Sequence, residues 1–201
     1  MKDRVESRPA GLRVTARVRL ETPDLPKQVR GPGPPVAVMF ADDGIIPNNP
    51  KLPFLLYREA IDLAGARDPA GVIERVFKRN GWGDMWRNGV YGFLHYHSAI
   101  HEVLGVARGR ARVQFGGDHG NAVDLTPGDV AILPAGTGHR RLLASEDFLL
   151  VGAYPPAGEY DLCRSSPTER SRALISIPKA PLPDHDPVYG AGGPLLGLWH
   201  R

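Results

Sequence analysis

Short apolar runs broken by turn residues make up most of this chain. The runs at residues 36–41 (VAVMFA) and 53–61 (PFLLYREAI) read as strands, separated by a segment whose Asp-Gly and Pro-Asn-Asn-Pro steps are turn chemistry. One stretch has helical spacing. Asp68 stands as N-cap before Pro69, the stripe Val72, Ile73, Val76 and Phe77 supplies a buried face, and Asn80-Gly81 closes it. From Trp82 onward the pattern returns to strands. WGDMWR and VYGFLHYHS flank Asn88-Gly89 and predict a hairpin with a type I′ turn. HEVLGVARGRARVQF predicts two strands broken near Arg108-Gly109, and AVDLTPGDVAIL two more around Pro127-Gly128, with HRRLLA and DFLLVGAY completing the set. Beyond about residue 156 the chain is turn-rich, with residues 173–177 and 195–199 as its regular pieces.

Composition agrees with an all-β domain. Gly (24) and Pro (20) together form about a fifth of the 201 residues, while 42% hydrophobic and 23% charged content are ordinary for a globular protein. The expected organisation is a flexible basic leader over 1–35, ending in GPGPP, and a single domain over 36–201. Within that domain a metal-binding core covers about 82–156 and a turn-rich wrap covers 157–201. The alternation at 13–20 (RVTARVRL) offers one edge strand as the other reading of the leader.

The net charge of +3 is unevenly spread: residues 1–30 carry +4 and the remainder −1. That excess sits on an aromatic-free leader instead of a folded face, so nucleic-acid binding is not expected. Neither a membrane span nor a secretory signal is expected, because no apolar run is long enough. A single cysteine, Cys163, fits a reducing compartment and reads as an incidental thiol, so a cytoplasmic location is expected.

The chemistry concentrates in two segments. Residues 89–109 hold His95, His97 and Glu102; residues 128–139 end in His139. Side chains two apart share one face of a strand, so His95 and His97 point together, along with Tyr91 and Phe93, into the interior. After the turn at 98–100, Glu102 returns beside them with Leu104, and His101 points away. Three imidazoles and a carboxylate without a thiolate suit a divalent transition metal (Fe, Mn, Zn, Ni or Co) with positions left open. Arg141, in phase with His139, is a candidate contact for a substrate carboxylate or phosphate. Tyr91, Phe93 and Tyr154 are candidate pocket residues. Glu102 and Tyr91 are the candidate proton carriers. Trp82 and Trp86 read as packing or dimer-interface residues, His119 as an exposed loop tip, and the Gly-rich steps at 116–117 and 190–193 as turns.

These residues resemble the cupin superfamily. The first segment matches G(X)5HXH(X)4E(X)6G at Gly89, His95, His97, Glu102 and Gly109. The second matches G(X)5PXG(X)2H at Gly128, Pro134, Gly136 and His139. The Asn that ends the second motif is Leu143 here, and that position is not a metal ligand in the superfamily. The flanks FADDGIIPNNP (40–50), NGWGDMWRNGVYGFLHYHS (80–98), LPAGTGHRRL (133–142) and VGAYPP (151–156) are similar to the YjlB-like bacterial cupins. The resemblance implies a double-stranded β-helix, or jelly roll, of antiparallel strands around the metal, with the one short amphipathic helix before the barrel. It carries no reaction with it. Three functions stay open: a metal-dependent enzyme of dioxygenase or isomerase/lyase type acting on a small polar or chelating molecule, a non-catalytic metal- or ligand-binding module, and a purely structural cupin. A small-molecule ligand and a homodimer are the expected partners.

Overall fold

The computed structural model describes residues 26–200. The possible edge strand at 13–20 lies outside them. Among the described residues, eleven strands form two antiparallel sheets. In chain order they are β1 (Val36–Val38), β2 (Phe54–Tyr57), β3 (Gly83–Asn88), β4 (His95–Tyr96), β5 (Glu102–Arg108), β6 (Ala111–Phe115), β7 (Asn121–Leu125), β8 (Val130–Leu133), β9 (His139–Ala144), β10 (Leu149–Tyr154) and β11 (Cys163–Arg164). The six-stranded sheet runs β1-β2-β8-β5-β10-β3 and the five-stranded sheet β11-β4-β9-β6-β7. From β3 onward, strands consecutive in sequence lie in different sheets, the β6–β7 hairpin excepted. This crossing between two antiparallel sheets is the jelly-roll arrangement of the cupins, an all-β fold.

Hydrophobic periodicity explains the layering. β2, β5 and β8 are apolar on both faces because their sheet is covered twice. Their inward residues Phe54, Leu56, Leu104, Val106, Ala131 and Leu133 meet Val113, Phe115 and Leu125 of the opposite sheet. Their outward residues Leu55, Val103, Val130 and Ile132 meet Val72, Ile73, Val76 and Phe77 of helix α1 (Pro69–Arg79) and Trp199 of helix α3 (Pro194–Trp199). Gly105 of β5 is what lets α1 sit so close, because a Cβ there would lie 2.7 Å from Ile73 Cγ2 and 2.9 Å from Phe77 Cζ. By contrast, β6 alternates buried and exposed residues, as a strand with one wet face must.

Helix α1 has the limits its sequence predicts. The Asp68 carboxylate accepts from Gly71 N at 3.0 Å, and Gly81, with φ +81°, follows the C-cap Asn80. Elsewhere the structure corrects the sequence reading. Asn88-Gly89 does not make a type I′ hairpin: neither residue has the positive φ that turn needs, and β3 pairs with β10 instead of β4. The reason lies in β10, where Gly152 faces Trp86. A Cβ at 152 would lie 2.1 Å from the indole, so the missing side chain is the slot that seats it. The strand expected over 90–98 shrinks to β4, and Tyr91 and Phe93 are exposed instead of interior.

The C-terminal wrap is more helical than expected. Helix α2 (Pro167–Ser176) is capped by Ser166, continues as a 3₁₀ turn at Ile177–Lys179, and precedes α3. Ordered packing also reaches back before Val36. Val29 is buried and bridges to Ile61, and Arg30 N donates to Ala60 O at 3.0 Å. Among the described residues no helix is long and apolar enough to cross a membrane.

Candidate metal centre

The four predicted ligands converge between the two sheets. His95 of β4 and His139 of β9 are direct cross-strand partners in the five-stranded sheet, with ring centroids 4.1 Å apart. His97 follows β4, and the ligand nitrogens of His95, His97 and His139 all lie within 4.8 Å of one another. Glu102 comes from the other sheet, on β5 opposite Leu133. Its Oε2 is 3.4 Å from His139 Nε2 and 3.6 Å from His97 Nε2.

Each imidazole is aimed by its other nitrogen. His95 Nδ1 bonds Phe93 O at 3.0 Å, His139 Nδ1 bonds Thr137 O at 3.1 Å, and His97 Nδ1 bonds Asp161 O. A carbonyl can only accept, so every Nδ1 carries a proton and donates it. That leaves Nε2 of each neutral ring as a lone pair facing the centre.

Burial and charge set the protonation of the group. Burial pushes His95 down, and it pushes His139 down to about 3, so both rings stay neutral near pH 7. Burial also acts against charge on His97, but the Glu102 carboxylate beside it and the Asp161 carbonyl hold its pKa above the usual value. For Glu102 burial acts upward, and the neighbouring imidazoles, His97 first, bring it below the carboxylate norm. Of the three rings His97 is therefore the one whose surroundings favour a proton, and Glu102 favours its ionised form. Glu102 Oε2 has no hydrogen-bond partner. An ionised, fully enclosed oxygen is costly when its nearest charged neighbour, the His97 ring at 3.6 Å, stands outside hydrogen-bond reach, and a closer cation would meet it. The donor set and this orphaned oxygen fit a first-row divalent ion, with imidazole and carboxylate ligands and no thiolate.

Above the centre is a cavity of about 280 Å³. Val90, Leu104 and Trp86 give it an apolar wall, and Tyr91, Tyr154 and Tyr160 bring hydroxyls. Tyr154 is buried, and Trp86 Nε1 donates to its hydroxyl at 3.1 Å. Burial, then the Glu102 charge, raise the Tyr154 pKa well above that of a free phenol, so it remains a proton donor. Arg87 also lines the cavity, but Glu74 and Asp68 hold its guanidinium at 2.7 and 3.2 Å.

The other predicted residues take separate places. Tyr91 is half-exposed at the mouth and stacks on Phe93, centroids 4.8 Å apart, while Phe93 does not line the cavity. Arg141 is exposed and stands outside the lining. Its main-chain N–H donates to Tyr91 O at 2.8 Å, and its guanidinium lies against Gly89 at the rim. His101 does point away from the ligands, yet it is buried: its Nδ1 accepts from Ala135 N at 2.9 Å and its ring lies 4.7 Å from that of Trp199.

No protein-family model matches the chain. Over 160 residues it is 42% identical to the uncharacterized protein YjlB of Bacillus subtilis, an alignment covering 80% of this chain and 93% of that protein. The chain belongs to the YjlB family. Solved structures with partial likeness include acireductone dioxygenase from Bacillus anthracis, 18% identical over 44% of this chain and 62% of that one, with TM-score 0.31. Bacillus subtilis oxalate decarboxylase is 18% identical over 57% and 28%, with TM-score 0.32. Procruciferin, an 11S globulin of Brassica napus, is 16% identical over 66% and 35%, with TM-score 0.35. The chain spans less than two thirds of each of these three solved structures.

Three site residues escaped the sequence reading. Trp86 was assigned to packing or a dimer interface, yet it forms a cavity wall. Tyr160 packs on His97 and Tyr154, with centroids 5.1 and 5.5 Å apart, and Asp161 holds His97. Tyr160 and Asp161 sit in a turn-rich stretch beyond both motifs, sixty-four residues separating Asp161 from His97, where spacing gives no signal. The only signal for Trp86 was Gly152, a glycine inside an apolar strand, which marks a close approach.

Proposed function

We propose that the chain is a metal-dependent enzyme acting on a small polar or chelating molecule, with His95, His97, His139 and Glu102 as the ligands of one divalent transition ion (Fe, Mn, Zn, Ni or Co). The observation that carries this reading is the orphaned, enclosed Glu102 oxygen facing three imidazoles whose Nδ1 protons are all committed to main-chain carbonyls. Bound there, such an ion supplies Lewis-acid polarisation of a chelated group, or redox chemistry toward dioxygen.

The chain's own residues do the remaining work. Val90, Leu104 and Trp86 exclude water from one side of the cavity. Tyr154 keeps its proton and is fixed by Trp86, so it donates a hydrogen bond to a substrate oxygen above the centre. Tyr160, on the wrapping segment, closes the cavity beside it. Tyr91 at the mouth and Glu102 at the floor are the groups placed to take or give a proton. Arg141 at the rim is the cation placed to meet an anionic substrate on entry. The same proposal takes residues 36–201 as one domain built around this centre.

Metal analysis of protein purified without chelator tests the reading, with one transition ion per chain expected and none in His139→Ala. Failure of the parent to bind any such ion sinks it. Aerobic turnover of diketones, thiols or hydroxy acids by the loaded protein then separates an enzyme from a binding module.

A further inference from the structure

The three imidazoles are not held in the same way. His95 and His139 each bond the carbonyl of a residue two positions earlier, so the local backbone that presents the ring also orients it. His97 depends on Asp161, sixty-four residues away. Asp161 is itself tied back to the ligand segment. Its carboxylate accepts from Ser98 N at 2.8 Å, Ala99 N at 3.2 Å and the Ser98 hydroxyl at 2.6 Å, and the Cys163 thiol donates to it at 3.2 Å. Ser98 Oγ in turn meets Ser176 Oγ at 2.6 Å at the end of α2. The next residue back, Tyr160, packs on the His97 ring and lines the cavity.

We propose that Asp161 is the positioning residue of the metal centre: its carboxylate grips the backbone just after His97 while its own carbonyl accepts the hydrogen bond from His97 Nδ1–H, fixing that ring's tautomer and the aim of its Nε2. The assignment rests on the metal reading above. It gives the wrapping segment a part in the centre that neither motif contains. It also explains why three groups of Ser98 and Ala99, together with the Cys163 thiol, none of them lining the cavity, converge on a single carboxylate. Groups that orient a metal-bound histidine typically affect metal affinity by about 10–100-fold when removed.

The probe is Co(II), added to metal-free full-length protein, with affinity taken by chelator competition and geometry from the visible absorption spectrum. Asp161→Ala is expected to lower Co(II) affinity by about 10–100-fold and to change the spectrum. Asp161→Asn is expected to restore most of both, because its amide oxygen still accepts from Ser98 N and Ala99 N while its NH2 donates to Ser98 Oγ. A merely structural role would lower the melting temperature of the metal-free protein and leave the spectrum as in the parent. That result, or parental affinity in Asp161→Ala, overturns the assignment. Should Asp161→Ala not fold, Ser98→Ala removes one donor to the same carboxylate, and parental affinity there overturns it equally. If the parent itself binds no Co(II), the metal reading falls and takes this assignment with it. Binding by the parent with Asp161→Ala unaffected removes only the assignment.

Discussion

Metal binding at this centre is expected to release close to one proton, where three ordinary histidines would release more. The perturbation is acidification. A metal takes deprotonated ligands, so affinity falls as pH falls. For three imidazoles of ordinary pKa, near 6.5, each pH unit well below that value costs about 1.4 kcal/mol per ring, or about 4 kcal/mol and a thousandfold in affinity for the set. Here burial pushes His95 below its usual value and His139 down to about 3, and Glu102 lies below its usual value. The proton that remains is on His97, held there by Glu102. The penalty therefore reduces to about 1.4 kcal/mol, tenfold, per pH unit below the raised pKa of His97. Calorimetric titration with Zn(II) at pH 6.0, in two buffers of different ionisation enthalpy, counts the protons directly. Ordinary rings would release about two at that pH, and this centre should release about one. A count near two refutes the lowering of His95 and His139, and a count near zero refutes a proton held on His97.

The same cycle run on Glu102→Gln should show metal affinity lowered by at least about tenfold and a proton count near zero, because the amide no longer holds a charge on His97; an unchanged count would be inconsistent with the pairing. His101 has no charged partner and a pKa of about 4, below its unfolded value, so the unfolded chain binds more protons between those two values. Stability of the metal-free protein should therefore fall as pH drops from about 6.5 to 4, with His101 contributing about 3 kcal/mol. His101→Asn, which keeps an acceptor for Ala135 N, should flatten that slope in urea midpoints, and a parental slope would count against it. Gly105→Ala forces a methyl against Ile73 and Phe77, and should cost about 1–3 kcal/mol, read as a fall of several degrees in melting temperature with metal affinity kept; no change would mean α1 yields without strain.

The convergence of the candidate ligands was legible because a strand has a two-residue period and the motif spacing fixes where the chain returns: His95, His97, Glu102 and His139 meet, and His101 diverges. Helix α1 was legible because its caps and its stripe agree. The pairing of β3 was not, because Asn-Gly is a local hairpin signal and the competing partner, β10, lies sixty residues on with a glycine as its only mark. Tyr91 and Phe93 failed for a related reason: alternation predicts a face only while the backbone stays extended, and the strand is just two residues long at His95–Tyr96. Asp161 and Tyr160 had no local pattern at all, since their role comes from the wrap folding back across the barrel. Val29 shows the opposite error, where Pro- and Arg-rich composition hid one apolar residue that bridges to Ile61.

Between His97 and Glu102 the chain crosses from the five-stranded to the six-stranded sheet in four residues. The proposed ligands therefore belong to both layers, and an unstacked chain has no centre to offer. Ion retention thus becomes a gauge of assembly. Loading would select molecules whose two layers have closed, and the moment of release on heating would mark their parting more directly than any global signal of unfolding.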